Sequence, residues 1–296
     1  MKKWLVLVAV LGIVGWWLTR PVGLSMADLP DHEPDLANGE RLFHAGGCAS
    51  CHGRLEDGKL QKDVMAGGLE MSSPVGTFRV PNISPDAEHG IGDWSALDFV
   101  NAMQHGISPD GRHYYPAFPY TSYARMTTED VLDLKAWLDT LPASDNAVAG
   151  HDLGLPWSLS RGIGLWKRLY LDDAPVLPVP GDDPQLQRGR YLVEGPGHCG
   201  ECHTPRNAAQ AMDTRRWLAG APNPEGEGRI PGLTPARASF AEWSADDIAY
   251  YLEAGVDPEF DVVGGSMASV QDNLSRLPAA DREAIATYLK ALPAVE

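Results

Sequence analysis

The sequence predicts an all-α protein of two tandem small helical domains with long loops, preceded by one N-terminal hydrophobic helix. One observation behind this fold class is the order of helical and Pro-bounded segments, which repeats in the two halves of the chain. The other is composition: 296 residues suffice for two ordinary domains, and Gly 31 with Pro 24 indicates long connecting loops. We expect the domains at residues 35–142 and 185–296, joined by a linker over residues 143–184.

The N-terminal residues 1–27 have the pattern of an export or anchoring segment. Lys2 and Lys3 precede the apolar run Trp4–Leu18, which is at the short end of what spans a bilayer. We expect a retained membrane anchor, with the rest of the chain on the periplasmic side of the bacterial inner membrane. The alternative is a signal peptide cleaved near Ala27, which would leave a soluble periplasmic protein.

The two halves of the chain match each other at a shift of 149 to 151 residues. An amphipathic helical start at 36–43 matches 186–193, and a Pro-bounded loop at 81–85 matches 231–235. Each half then has an N-cap serine with an acid three residues later, a helix ending near a glycine, and a last amphipathic helix. These features are Ser95, Asp98, Gly106 and 128–141 in the first half, and Ser244, Asp247, Gly255 and 280–292 in the second.

Charge separates the linker from the rest of the chain. The whole sequence has 24 Lys and Arg against 40 Asp and Glu, a net charge of −16, so we expect no nucleic acid partner. The linker segment 153–171 instead contains Arg161, Lys167 and Arg168 and no acid. It is expected to form a strap helix packed across the two domains, and a docking surface is the alternative.

Both halves contain one Cys-x-x-Cys-His motif, and the four cysteines of the chain are all in these motifs. The motif is typical of covalent haem c attachment, in which two thiols bond the porphyrin and the histidine is the proximal iron ligand. A zinc ribbon would bring its two cysteine pairs within about 15–20 residues, and a thioredoxin-like site would not need the histidines. We therefore expect two covalently bound haem c groups, held by Cys48, Cys51, His52, Cys199, Cys202 and His203.

The sixth iron ligand decides whether such a site moves electrons or binds substrate. In the second half, Met267 lies in the loop before the last helix and is the expected ligand. The equivalent residue in the first half is Phe118, which cannot ligate iron. Met126, eight residues later, is therefore the expected ligand there, with His113, Met103 and Met71 as alternatives.

Four stretches of the chain resemble the di-haem class I cytochrome c family: 46–52, 76–86, 106–117 and 198–207. The resemblance covers residues 35–296. Within this range the chain is similar to cytochrome subunits of periplasmic dehydrogenases of alcohols, aldehydes and sugar acids. It implies two tandem class I cytochrome c domains. Related subunits often carry methionine where this chain has Phe118, and some add a third haem domain.

The expected function is single-electron transfer from a periplasmic dehydrogenase to an acceptor of the respiratory chain. In this interpretation the chain is an electron carrier with no catalytic residue, because both axial positions of each iron are filled. The alternative is a di-haem redox enzyme such as a peroxidase. That function would need an open iron position in the first domain.

Overall fold

Helices dominate the part of the chain that the computed structural model describes, residues 1–57, 59–178, 182–223 and 226–295. This part contains thirteen α-helices and seven short strands. The helices are α1 Lys2–Leu18, α2 Leu36–Ala45, α3 Cys48–His52, α4 Ala96–His105, α5 Tyr120–Tyr123, α6 Thr128–Leu138, α7 Ile163–Tyr170, α8 Pro184–Glu194, α9 Gly200–His203, α10 Ala238–Glu242, α11 Ala245–Ala254, α12 Ser266–Leu274 and α13 Ala279–Ala291. The strands are β1 Arg54–Glu56, β2 Lys59–Gln61, β3 Glu70–Ser73, β4 Gly76–Arg79, β5 Asp152–Leu153, β6 Ala221–Pro222 and β7 Arg229–Ile230.

The strands correct the all-α prediction in one respect. β1 pairs with β2, β6 pairs with β7, and β3, β4 and β5 form a small sheet, all antiparallel. In that sheet Gly76 lies opposite Leu153, so the linker adds a strand to the first half. The pattern missed these strands because each has at most four residues, too few for an alternation of apolar and polar positions.

The helix ends follow the sequence signals closely. Ser95 and Asp98 form the N-terminal capping box of α4, and Ser244 and Asp247 form that of α11. The two helices end at Gly106 and Gly255, at φ 56° and 70°, a left-handed conformation that favours glycine.

A crossed helix pair closes each half of the chain, α2 with α6 and α8 with α13. Both crossings depend on a glycine. A methyl group added at Gly39 would lie 2.2 Å from the carbonyl oxygen of Asp133, and one added at Gly189 would lie 1.8 Å from that of Ala284. Only glycine therefore allows the backbones to approach this closely.

Two hydrophobic clusters form the core. One contains Leu42, Phe99, Val131 and Leu134 of the first half. The other contains Leu192, Ile248, Ile285 and Leu289 of the second half, together with Ala45 from the first. The boundaries 35–142, 143–184 and 185–296 stay predictions.

The linker contains the predicted strap helix, which is α7. Trp166 donates from Nε1 to the carbonyl oxygen of Ala209 in the second half at 2.8 Å. Lys167 donates from Nζ to the carbonyl oxygen of Gly106 in the first half at 2.7 Å, and its ammonium lies over the ring of Tyr120. The helix therefore contacts both halves of the chain.

Helix α1 leaves nearly all of its side chains exposed, in contrast to the other long helices. Within the described residues, we find no helix that combines the length and the apolar character needed to cross a membrane.

Candidate haem-binding sites

The first motif lies on α3, and the second motif begins at the residue before α9. Gly47 precedes α3 with φ 57°, a conformation that turns the chain from the end of α2 into the motif. Before α9 the equivalent turn is made by His198, with φ 38°. Each motif thus follows the first helix of its half after a tight turn.

The two motif histidines have the same hydrogen bond. Nδ1 of His52 lies 2.8 Å from the carbonyl oxygen of Pro81, and Nδ1 of His203 lies 2.8 Å from that of Pro231. A carbonyl only accepts, so each Nδ1 carries the proton. Nε2 of each ring is therefore left as the unprotonated nitrogen, which is the form that coordinates a metal, and the ring orientation is fixed.

Burial keeps these groups uncharged in the protein itself. It lowers the pKa of His52 and of His203, although the Pro carbonyls act in the opposite direction. Burial also raises the pKa of Cys48 and of Cys199 to about 12. A neutral imidazole is the ligand that haem iron requires.

One buried polar group of the second half fits a bound haem. The indole N–H of Trp243 is buried and has no hydrogen-bond partner among the described residues. Trp243 packs against the same cluster as Cys199 and Met267. The core of the second half is therefore lined by a thiol, a thioether and an unpartnered N–H donor, which are groups that fit a bound haem.

The proposed sixth ligands occupy different positions in the two halves. Met267 lies in the first turn of α12 and not in the loop that the sequence predicts, and it is half-buried against the cluster on which Cys199 packs. Met126 is 4% exposed in the cluster that contacts Cys48. Its backbone N–H bonds to Tyr123, as that of Leu277 bonds to Leu274, so Met126 has the place of a core leucine in the other half.

The other residues considered for the first haem have structural contacts. Nε2 of His113 lies 2.9 Å from the carbonyl oxygen of Thr19. Met103 is buried on α4, and Met71 lies opposite Phe78 in the small sheet. Phe118 packs edge-on against Tyr114 and Tyr123. The assignment of Met126 stays a prediction.

The two motifs contact each other's halves reciprocally. Ser50, between the cysteines of the first motif, bonds to Ser269 and Asn273 of α12, each at 2.7 Å. Glu201, at the same place in the second motif, accepts bonds from Thr121 and Ser122 of α5 at 2.6 and 3.1 Å. The contacts between the two halves are therefore reciprocal at these positions.

The segments that lead into the motifs also touch. A methyl group added at Gly46 would lie 3.4 Å from the carbonyl oxygen of Pro196. The rings of Tyr123 and His198 are edge-on with centroids 5.7 Å apart. No more than three residues separate Gly46, Pro196 and His198 from the cysteines that follow them.

Comparison with known proteins decides the family. The cytochrome c family profile matches residues 36–142. A di-haem cytochrome c-type protein of Cereibacter sphaeroides is 52% identical over 293 residues, which cover 99% of this chain and 97% of that protein. The chain belongs to the di-haem c-type cytochromes. It is an electron carrier with two covalently bound haem c groups.

Two longer relatives are subunits of dehydrogenases. The cytochrome is 37% identical to the fructose dehydrogenase cytochrome subunit of Gluconobacter japonicus, over 89% of this chain and 54% of that subunit. It is 37% identical to the gluconate 2-dehydrogenase cytochrome c subunit of Pantoea cypripedii, over 92% of this chain and 63% of that subunit. The cytochrome thus spans less than two thirds of these two proteins. They give no support to the peroxidase alternative.

Sequence reasoning missed the residues that join the halves of the cytochrome. Ser50 and Glu201 are the second residues between the cysteines, where the motif sets no requirement. Both being polar at equivalent places was the only available signal. Their partners Ser122 and Asn273 lie 70 residues beyond the last residue of the motif in their own half and follow no pattern.

The loop before the sixth-ligand region is covered in one half of the cytochrome and open in the other. A bridge joins Ile107 to His113 in the first loop, and an equivalent bridge joins Val256 to Val262 in the second. His113 is 6% exposed, whereas Val262 is 76% exposed. The difference arises because the linker and the segment after α1 cover only the first loop.

Proposed function

We propose that Cys48, Cys51 and His52 hold the first haem and that Cys199, Cys202 and His203 hold the second. Met267 and Met126 are the proposed sixth ligands. A haem bound at each motif would supply single-electron chemistry between ferric and ferrous iron. The hydrogen bonds that His52 and His203 donate to the carbonyls of Pro81 and Pro231 hold the two imidazoles in one tautomer, which favours transfer without rearrangement of the protein.

The reciprocal packing of the two motifs is the observation that carries the functional proposal. Ser50 and Glu201 place each motif against the other half of the chain, and Gly46 approaches Pro196. This arrangement supports passage of an electron from one half to the other within a single chain. We propose that the chain accepts electrons from a periplasmic dehydrogenase and passes them to an acceptor of the respiratory chain.

The second half offers the surface for the protein partner. The loop around Val262 is exposed, and Phe260 within it is 85% exposed. Glu259 and Asp261, also exposed, flank this apolar pair. An apolar patch rimmed by charges is typical of interaction sites, and the acids favour a partner with basic groups at its edge.

Helix α1 is the proposed attachment to the periplasmic side of the inner membrane. Its apolar side chains are exposed from Trp4 to Trp17, and at its C-terminal end the rings of Trp16 and Trp17 are contacted by Arg161 and Arg168 of the linker. A helix that is apolar on every face is stable in water only if another apolar phase covers it. The alternative role of this segment is that of a signal peptide cleaved near Ala27.

A deletion strain tests the proposed function. Without this chain, membranes should lose oxygen uptake on one alcohol, aldehyde or sugar acid, while the dehydrogenase still reduces an artificial acceptor. The wild-type chain should restore uptake, and a chain with Cys199→Ser and Cys202→Ser should not. Unchanged oxygen uptake on every such substrate would contradict the proposal.

A further inference from the structure

One side of the linker carries basic and apolar side chains together. The turn Ser160–Gly162 leads into α7, whose packed side contains Gly164 and the buried Lys167. The opposite side has side chains at helical spacings of three and four residues, so that they form one continuous face. We call these residues the strap face: Arg161, Leu165, Arg168 and Leu169.

The two arginines of the strap face bind the C-terminal end of α1. Arg161 donates from Nη2 to the carbonyl oxygen of Trp16 at 2.9 Å, and Arg168 donates from Nε to that of Leu18 at 2.6 Å. Carbonyls in the last turn of a helix have no partner within the helix, and cations are favourable there. The strap face is therefore fixed beside the point where α1 ends.

Aromatic rings strengthen the same junction. The guanidinium of Arg161 lies 5.3 Å from the ring centroid of Trp16, and that of Arg168 lies 5.3 Å from the ring centroid of Trp17. Arg20 lies over Trp17 as well, at 5.3 Å. Tryptophan with arginine is the combination found where a helix leaves the apolar part of a bilayer.

The apolar members of the strap face are open to solvent. Leu169 is 69% exposed and Leu165 is 48% exposed. Immediately before the strap face the linker exposes three more apolar residues: Leu155, Trp157 and Leu159. The segment 153–171 contains no acid, in a chain of net charge −16. A patch of this kind, apolar and basic at once, needs a partner that is apolar below and negative at its surface.

We propose that the strap face lies on a bilayer of anionic lipids, beside the end of α1. This proposal rests on the proposed attachment through α1 and adds a second contact to it. Leu165 and Leu169 enter the boundary of the acyl chains, and Arg161 and Arg168 lie at the phosphates. Lipid is favoured over a protein partner because the patch is continuous with a helix that is apolar on every face.

Site-directed spin labelling of the full holoprotein in vesicles tests this contact. The four native cysteines are used for haem, so Leu169→Cys provides one reactive thiol. Phe260→Cys labels an exposed apolar residue of the other half as a control, and Val10→Cys labels α1. Power saturation of the spin label with oxygen and with a water-soluble nickel chelate reports immersion in lipid. The vesicles are made of phosphatidylcholine with or without phosphatidylglycerol.

The ratio of oxygen to nickel accessibility should be several-fold higher at residue 169 than at residue 260, and higher again with phosphatidylglycerol. The double variant Arg161→Gln, Arg168→Gln should reduce the ratio at residue 169 and leave the ratio at residue 10 unchanged. Equal ratios at residues 169 and 260, with residue 10 in lipid, would overturn the strap contact alone. A water-accessible label at residue 10 would overturn both proposals. If the mobility of the label at residue 169 falls only when dehydrogenase is added, the strap face binds a protein and the lipid contact is overturned.

Discussion

Asn273 donates from Nδ2 to the hydroxyl of Ser50 at 2.7 Å, and so joins α12 of the second half to the first motif. The pair has a counterpart, because Ser122 donates to Glu201 at 3.1 Å at the same offset along the chain. The equivalent positions use different chemistry: an amide and a hydroxyl on one side, a hydroxyl and a carboxylate on the other. The duplicated sequence thus conserves the contact while the residue types change.

Haem content is the first prediction. The parent holoprotein should contain two haems per chain, because both motifs have the thiols and the oriented histidine. Cys48→Ser with Cys51→Ser should leave one haem, and so should Cys199→Ser with Cys202→Ser. A pyridine haemochrome assay normalised to protein gives the count. A single haem in the parent would contradict the assignment of one motif.

Much of the fold follows from local signals. The capping boxes at Ser95 and Ser244 and the glycines after α4 and α11 fix helix ends through a few neighbouring residues. The small sheet could not be predicted, because β5 pairs with β4 over a separation of more than 70 residues. Which residues meet across such a distance is decided by packing rather than by a local pattern.

The proximal half of each site was also predictable, since the motif places its histidine at a fixed distance from the thiols. The carbonyls of Pro81 and Pro231 that orient these histidines lie in the Pro-bounded loops, for which the sequence indicated only irregular structure. Gly39 and Gly189 matched in the repeat, but the reason for glycine appears only when the backbone of the crossing helix is seen.

Those two glycines carry the second prediction. Gly39→Ala and Gly189→Ala should each lower the free energy of unfolding by about 1–3 kcal/mol, because the added methyl overlaps a backbone carbonyl that cannot move aside. Gly150→Ala is the control, since no atom lies within 4 Å of the added methyl. Denaturant unfolding of the holoproteins measures the difference. Equal stability of all three variants would contradict the close helix approach.

The third prediction concerns pH. His32 lies 2.6 Å from Asp133, and this hydrogen bond raises the pKa of His32 above 6.5. Burial acts to raise the pKa of Asp133, but hydrogen bonds from Asn38 and His32 outweigh it and lower that pKa below 3.8. The pair therefore stabilises the folded protein fully between pH 3.8 and pH 6.5, the ordinary pKa values of the two groups. Its contribution is lost as pH rises through the folded pKa of His32, or falls through that of Asp133.

His32→Gln should accordingly cost about 0.5–1 kcal/mol near pH 5.5 and less near pH 8.5, since His32 is partly exposed. Thermal unfolding of parent and variant at both pH values measures this. In an Asp133→Asn background the same substitution should have an effect independent of pH. A cost that grows with pH would have the wrong sign for a raised histidine pKa.

The exposed loop of the second half carries the fourth prediction. Phe260→Ser with Val262→Ser should slow reduction of the haems by the native dehydrogenase several-fold, because an apolar contact is lost. Haem spectra and potentials should not change, since both side chains point to solvent. Tyr250→Ser, another exposed apolar position of the second half, is the control. Stopped-flow reduction rates with the natural substrate distinguish the variants, and equal rates would place the partner elsewhere.

The last prediction separates the two roles of Met126. Leucine fills nearly the same volume as methionine, so Met126→Leu should cost less than about 1.5 kcal/mol in packing but remove a thioether. If Met126 ligates the first iron, as we propose, the variant loses that haem's weak near-infrared sulfur-to-iron absorption and its potential falls. Met267→Leu should do the same to the second haem. The opposite outcome has a structural explanation ready: Leu277 already occupies the equivalent place as a buried core residue. Unchanged absorption and potential in Met126→Leu, beside their loss in Met267→Leu, would therefore assign Met126 to packing and leave the first iron without a methionine at that position.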